Sequence, residues 1–401
     1  MTSMTTPRLP ELAELLDPAS LHARLSGVAD ARATLAGARP FYLRWKPDTS
    51  ALLGVELEWR TAEGVTRTLA SLYLGEGLSE AGSKAATLRL VEPVLGPALA
   101  RLDDALYLAF PNDRLLKGLS AVADVRRVGN RLTSPGTPFK VRGFRKARGS
   151  VVRPVRWKPG RRAVVELDLV FVNDATSASE PWHAYARVMP ASELDTRLAR
   201  WLAAAQVPAA GAPEVLFVDR ERSWFATAVA PGAALAATPD GALHAALRAA
   251  FTALHAGPSA ALAARSDRDD LEAATRALDA LTRVAPELES RAHALTARLG
   301  ASLERLSPAP RTFTHGDLGA DQILVHGGAV AVIDWDEAAN GDPHADWASL
   351  AADLRGRGLD RGWVEPLARD VLAGRFDATR FAWQLAAAEA RRAVESLQRG
   401  R

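Results

Sequence analysis

The stretch Thr314-His-Gly-Asp-Leu-Gly-Ala-Asp-Gln-Ile-Leu324, THGDLGADQIL, decides how the rest of this sequence is read. Gly316 and Gly319 flank Asp317 in a turn-like run, and an apolar segment from Ile323 to His326 then reads as a short strand. A carboxylate on a loop carried by a rigid scaffold is a common position for a catalytic group. A second apolar run, Ala329 to Ile333, ends at Asp334. A hairpin of these two short strands brings Asp317 and Asp334 to one edge. That is what phosphoryl transfer requires: one carboxylate orients an attacking hydroxyl and accepts its proton. A second carboxylate, with a nearby amide oxygen, holds the Mg²⁺ that bridges nucleotide phosphates.

Outward from this stretch the pattern splits the chain. Beyond residue 235, GALHAALRAAFTALHAG (241–257) and the run from Asp269 to Leu306 place apolar residues at three- and four-residue spacing, with Asp or Ser near their starts. Before it, RWKP occurs twice, at Arg44–Pro47 and Arg156–Pro159. Each copy precedes two β-rich runs, a helical pattern (near 78–100, then 192–205) and a further strand pattern. The parallel order suggests an internal duplication. The fold expected is α+β, a β-rich half feeding a helical half with a small two-strand insert.

The composition, 48% hydrophobic and 24% charged over 401 residues, suits a globular protein of two or three domains. Without cysteine there is no disulfide framework, thiolate zinc site or iron–sulfur cluster. No signal peptide or membrane-spanning run is visible, so the cytoplasm is the expected location. A net charge of +3 argues against a general nucleic-acid binder, although Lys140–Arg162 carries basic residues and no acidic one. That segment reads as a linker or surface. GEGLSEAGSK (75–84) lacks the Gly-Lys-Ser/Thr order of a P-loop and reads as a turn with a helix cap. His255, on an apolar helical face, reads as packed, and Trp45 and Trp157 as core anchors at equivalent repeat positions.

HGDLGADQIL (315–324), VIDWDEAANGDPHADWASL (332–350), SWFATAVAPGAAL (223–235) and AAFTALHAG (249–257) together resemble the aminoglycoside phosphotransferase and choline kinase-like superfamily, over about residues 150 to 401. The resemblance implies a two-lobed protein-kinase-like fold behind an N-terminal α/β cap: cap 1–135, possibly a degenerate copy of the N-lobe, N-lobe 136–230, helical C-lobe 231–401. It implies ATP and Mg²⁺ as cofactors and a small-molecule hydroxyl, of a sugar, aminosugar or aminoglycoside, as acceptor. In that scheme Asp317 is the base, Gln322 and Asp334 are metal ligands, and Ala228 and Ala230 lie in the backbone that grips adenine. His315, Asp342 and Asp346 brace the loop.

Two departures bear on this expectation. Gln322 stands where asparagine is usual; it offers the same amide oxygen one methylene further out, and resembles the maltokinase and glucosamine kinase branch. Arg187 stands where the phosphate-binding lysine belongs, with Glu193 as its expected partner and Asp195 the competing choice; Ser71 takes its place in the first repeat. Lys158 and Arg161 in KPGRR (158–162), through side chains and turn N–H groups, are further candidates for phosphate, against a solvated basic turn. Asp267, Asp269, Asp270 and Glu337 either attract a cationic acceptor or form a solvated face. The rival reading is a pseudokinase serving as a binding or regulatory module.

Overall fold

The computed structural model describes residues 12–46, 49–76, 78–86, 89–146, 149–283 and 285–393. The chain forms two compact units: one runs to Leu194 and takes in Phe217–Thr227, the other takes in Asp195–Leu216 and continues from Ala228. The architecture is α+β, with sheets dominating the first unit and helices the second.

The first unit opens with α1 (Leu12–Leu16) and α2 (Pro18–Arg24), the latter capped by Asp17, whose carboxylate accepts the Ser20 N–H. β1 (Ala33–Lys46), β2 (Ser50–Thr61) and β3 (Gly64–Gly75) form an antiparallel meander. Alternation puts Leu53, Val55, Leu57 and Trp59 of β2 and Ala70, Leu72 and Leu74 of β3 into one core with Leu15, Leu21 and Leu25. After α3 (Leu78–Ala86), β4 (Leu99–Arg101) and β5 (Ala105–Ala109) complete a five-stranded sheet ordered β1-β2-β3-β5-β4. The helix expected over 78–100 therefore ends at Ala86, and 89–98 is irregular. Short helices α4 (Leu119–Val122), α5 (Val125–Leu132) and α6 (Pro138–Val141) lead to β6 (Phe144–Lys146), β7 (Val151–Lys158), β8 (Arg162–Asn173) and β9 (Ser179–Val188). Helix α7 (Ala191–Ala205) follows, and β10 (Val215–Asp219) and β11 (Trp224–Ala228) complete the second sheet.

That sheet runs β10-β11-β9-β8-β6, with β7 also paired to β8. Read as β7-β8-β9-β11-β10, it repeats the order of the first sheet, with a helix after the third strand in both. Arg44–Lys46 and Arg156–Lys158 close the equivalent strands β1 and β7. The register corrects one expectation. Arg187 pairs with Val164, the third residue of β8, and the third residue of β2, Leu52, pairs with Tyr73. Tyr73, not Ser71, therefore stands where Arg187 stands.

The second unit is built on α8 (Gly241–His255), α9 (Asp267–Thr282), α10 (Glu289–Leu303), α11 (His344–Gly356), α12 (Val364–Leu372) and α13 (Ala378–Arg392). Asp240 caps α8, and Ser266 and Asp269 form a reciprocal capping box on α9. Ala274, Leu278, Leu299, Trp383 and Ala387 form a core among α9, α10 and α13. The β insert is larger than expected. β12 (Ala233–Ala234) joins the hairpin of β14 (Ile323–His326) and β15 (Ala329–Val332), and β13 (Thr312–Thr314) pairs with β16 (Ala339–Gly341). Gly232, at φ +116°, makes this approach possible: a Cβ there would lie 2.6 Å from the Val325 carbonyl oxygen. Among the described residues no helix is long and apolar enough to cross a membrane.

Candidate active site

The loop from His315 to Gln322 links β13 to β14, and both of its ends are pinned. Gly316 has φ +85°, and a Cβ on it would fall 2.1 Å from the Glu337 carbonyl oxygen, so only glycine fits the turn. Asp346, fully buried near the start of α11, accepts the His315 and Gly316 N–H groups, one on each oxygen, both at 2.8 Å. Arg265 donates to the Gly316 carbonyl at 2.6 Å, and Asp353, two turns along α11 from Asp346, accepts the Ala320 N–H at 2.8 Å. The Asp317 carboxylate is left at the surface of the loop, its side chain 54% exposed and 3.8 Å from Arg392.

The second half of the site is the end of β15. His315 Nε2 donates to the Ile333 carbonyl at 2.9 Å, and the Ile333 N–H donates to the Gln322 carbonyl, also at 2.9 Å. Loop and strand end are thus tied one residue before Asp334. Antiparallel pairing of Ile323 with Val332 puts the start of β14 and the end of β15 at the same edge, as the sequence leads one to expect. Asp334 itself is left-handed, at φ 67° and ψ 54°. Non-glycine residues are uncommon there, with Asp among the more tolerant, and such strain concentrates at functional sites. Its neighbour Asp336 is buried and spent on Arg197 and on Trp201 Nε1 at 3.1 Å.

Gln322 meets the expected role only in part. Its Oε1 accepts the Gly319 N–H at 2.7 Å, closing the short turn Ala320–Gln322. An amide oxygen keeps a second lone pair, so the atom remains a donor for a hard cation. The donor set of one carboxylate and one amide oxygen fits Mg²⁺, which binds few protein groups and fills its shell with water and phosphate oxygens. Among the described residues no group of three or more His, Cys, Asp or Glu side chains could hold a metal ion.

The expected braces divide in their work. Asp346 and His315 hold the loop directly. Asp342 instead accepts from Arg380 at 2.8 Å, from Gln384 at 3.3 Å and from His344 Nδ1 at 2.7 Å, tying α13 to the start of α11. Burial opposes its ionisation, but the His344 and Arg380 bonds hold its pKa below the usual carboxylate value. His344 Nε2 accepts the Asp377 N–H, so its other nitrogen carries the proton given to Asp342.

Sequence reasoning missed Asp353, Arg265, Arg357 and Arg392. Asp353 accepts from Arg357 at 2.7 Å and Arg392 at 3.0 Å, and Arg392 also reaches the Leu318 carbonyl at 3.3 Å. The spacing of Asp346 and Asp353 was the available signal, since residues two turns apart share a helix face. Nor do the acids expected to attract an amine form a solvated face. Asp270 is buried against Arg265 and Arg391, each at 2.6 Å; Asp267 accepts from Arg380 at 2.9 Å; and Asp269 belongs to the capping box. Of the set Asp269 and Glu337 are left exposed, Asp269 within its capping box and Glu337 3.9 Å from Arg200.

The remaining expected residues lie in other elements. Arg187 is half-buried on β9, and Glu193 is in the first turn of α7. Ala228 ends β11, its N–H donated to the Glu214 carbonyl at 2.8 Å, and Ala230 follows just before the Pro231–Gly232 turn. For the KPGRR turn, which carries Lys158 and Arg161, the structure corrects the backbone half of the expectation. Gly160 N–H donates to Asp113 at 2.8 Å, the Arg161 N–H closes the turn on the Lys158 carbonyl at 3.0 Å, and Arg161 lies beside the Tyr42 hydroxyl. Its backbone donors are committed, and the turn belongs with the N-terminal sheet. His255 is packed as expected, its Nδ1 donating to the Phe313 carbonyl at 2.9 Å, with burial holding its pKa below the ordinary value.

Comparison with known proteins bears on this geometry. The phosphotransferase enzyme family (APH) matches residues 176–387. Among solved structures, an aminoglycoside phosphotransferase from Streptomyces rimosus is 21% identical, covering 60% of this chain and 92% of its own, with a TM-score of 0.41. A macrolide 2'-phosphotransferase from Brachybacterium faecium is 17% identical, covering 65% of this chain and 89% of its own, at 0.43. A spectinomycin phosphotransferase solved with ADP and its antibiotic is 13% identical, covering 69% and 89%, at 0.46. No curated protein matches. None of these findings selects the maltokinase and glucosamine kinase branch that Gln322 suggests.

Proposed function

The chain belongs to the phosphotransferase enzyme family, and from that premise we propose an ATP- and Mg²⁺-dependent kinase that phosphorylates a hydroxyl of a sugar, aminosugar or aminoglycoside. The observation that carries the reading is the division of labour among the carboxylates. Asp346 and Asp353 are buried and committed to the loop's backbone, whereas Asp317 is left exposed at its crest. A carboxylate so held is positioned to orient an acceptor hydroxyl and take its proton as the bond to phosphorus forms. Asp334 and the free lone pair of Gln322 are the groups that would hold Mg²⁺, which when bound neutralises phosphate charge. Pinning the loop by Asp346, Arg265 and Asp353 keeps Asp317 in place, so reorganisation at the moment of reaction is small. Arg187, with Glu193 near it in sequence, is the candidate for the nucleotide phosphates, and the backbone from Ala228 to Ala230 for adenine. Because Asp267 and Asp270 are already ion-paired, acceptor recognition through hydroxyl hydrogen bonds is better supported than recognition of a cationic amine by those acids.

The test is thermal unfolding of the wild type and Asp334→Asn with ATP, with and without Mg²⁺, followed by a screen of sugars, aminosugars and aminoglycosides for ADP release. A Mg²⁺-dependent rise in Tm that Asp334→Asn loses, together with turnover on a hydroxylated acceptor, is expected. Absence of any shift at millimolar nucleotide would instead favour the pseudokinase.

A further inference from the structure

The first unit encloses a pocket of about 550 Å³, formed by residues that all belong to that unit. Its wall carries Arg89, Lys117, Arg127, Arg131 and Arg222, together with the hydroxyl of Ser120, and no acidic side chain. Three carboxylates pair with these cations, and none of them lines the pocket. Asp219, buried beneath the β10–β11 turn, accepts from Arg131 Nε at 2.6 Å and Nη2 at 2.9 Å, and from Trp224 Nε1 at 3.1 Å. Glu221 lies 3.5 Å from Arg131 and 3.1 Å from Arg222, and Asp124, which caps α5, is 4.0 Å from Arg127. The two-point bond to Asp219 fixes the direction of the Arg131 guanidinium. Arg89 and Lys117 make no ion pair with a carboxylate among the described residues.

Five cations here meet three carboxylates, so the concavity keeps an excess of positive charge, carried by Arg89 and Lys117, and it gains most by taking up an anion of more than one charge. Its volume is that of a small-molecule site. Guanidinium forks match phosphate oxygens in pairs, which favours phosphate over a lone carboxylate. We propose that this pocket is a second ligand site, binding a small, multiply charged phosphate ester.

Calorimetric titration of the full chain with inorganic pyrophosphate, without Mg²⁺, tests it. Saturable one-to-one binding is expected, weakened by salt and lowered at least ~10-fold in Arg89→Gln/Lys117→Gln, a loss of ~1.4 kcal/mol or more. Ser120→Glu, which adds a carboxylate to the wall, should abolish it, and so keeps the test decisive if the double variant fails to fold. Asp317→Asn should bind as the wild type does. The proposal is overturned if the wild type shows no saturation. It is equally overturned if pyrophosphate binds both pocket variants unchanged and is displaced by a non-hydrolysable ATP analogue, or if a single-stranded oligonucleotide outcompetes it at equal phosphate concentration.

Discussion

Replacing Asp346 by alanine removes both acceptors of the His315 and Gly316 N–H groups, in a place where neither finds another partner. Buried donors left unmet cost about 1–3 kcal/mol each, so a fall of roughly 2–6 kcal/mol in unfolding free energy is expected from denaturant titration. Gly316→Ala acts differently: the loop must shift to free a Cβ from the Glu337 carbonyl, so turnover should drop by ~10²-fold or more while most of the fold survives in circular dichroism. His255 gives a pH signature. Its folded pKa is depressed by burial, so the unfolded chain binds a proton more readily as pH falls below about 6.5, and stability present above that value is lost on acidification. The slope contributed is at most ~1.4 kcal/mol per pH unit, and His255→Gln should flatten it in melting curves at pH 5.5 to 7.5. At this scale Asp317, Asp334, His315 and Asp346 were legible because a short motif fixes each one's position along the chain. The sequence could not show that Gln322 would turn its oxygen onto Gly319, because that depends on a turn only the folded loop makes.

At the scale of elements, the site depends on α11 and α13 more than on its own hairpin. Two acids on one face of α11 grip opposite ends of the loop, and Arg391 and Arg392 of α13 reach Asp270, Asp353 and the Leu318 carbonyl. Arg392→Met is therefore expected to lower kcat with little change in Tm greater than a few degrees, since Arg357 still pairs with Asp353 at 2.7 Å. A loss of fold without loss of specific activity in the surviving protein would contradict that assignment. Strand patterns were legible through alternation, as in β2 and β8, and helices through capping residues such as Asp240 and Ser266. The arginine partners were not, because a pairing such as Arg265 with Asp270 or Arg391 with Asp270 is settled by packing among α9, α11 and α13, and a helical pattern shows only that a charge lies on a face.

Across the whole molecule, the sequence's repeat of RWKP corresponds to two sheets of the same strand order, one carrying Arg187 and the other Tyr73 at the matching place. Asp113 holds the second copy's turn, accepting from Trp157 Nε1 at 3.1 Å and the Gly160 N–H at 2.8 Å. Asp113→Ala should lower stability by about 2–4 kcal/mol and leave the KM for ATP unchanged, because the Gly160 N–H is given to this carboxylate and the Arg161 N–H to the Lys158 carbonyl. The shared strand order was visible as a tetrapeptide and a parallel order of elements, whereas the register needed the hairpin pairings. The central claim, that Asp317 is the base of a phosphotransferase centre, is tested most directly by comparing Asp317→Asn with the wild type in acceptor-dependent ADP release and in Mg²⁺-ATP binding. A kcat lower by about 10²–10⁴-fold with nucleotide affinity retained is expected. Turnover within a few-fold of wild type would contradict it.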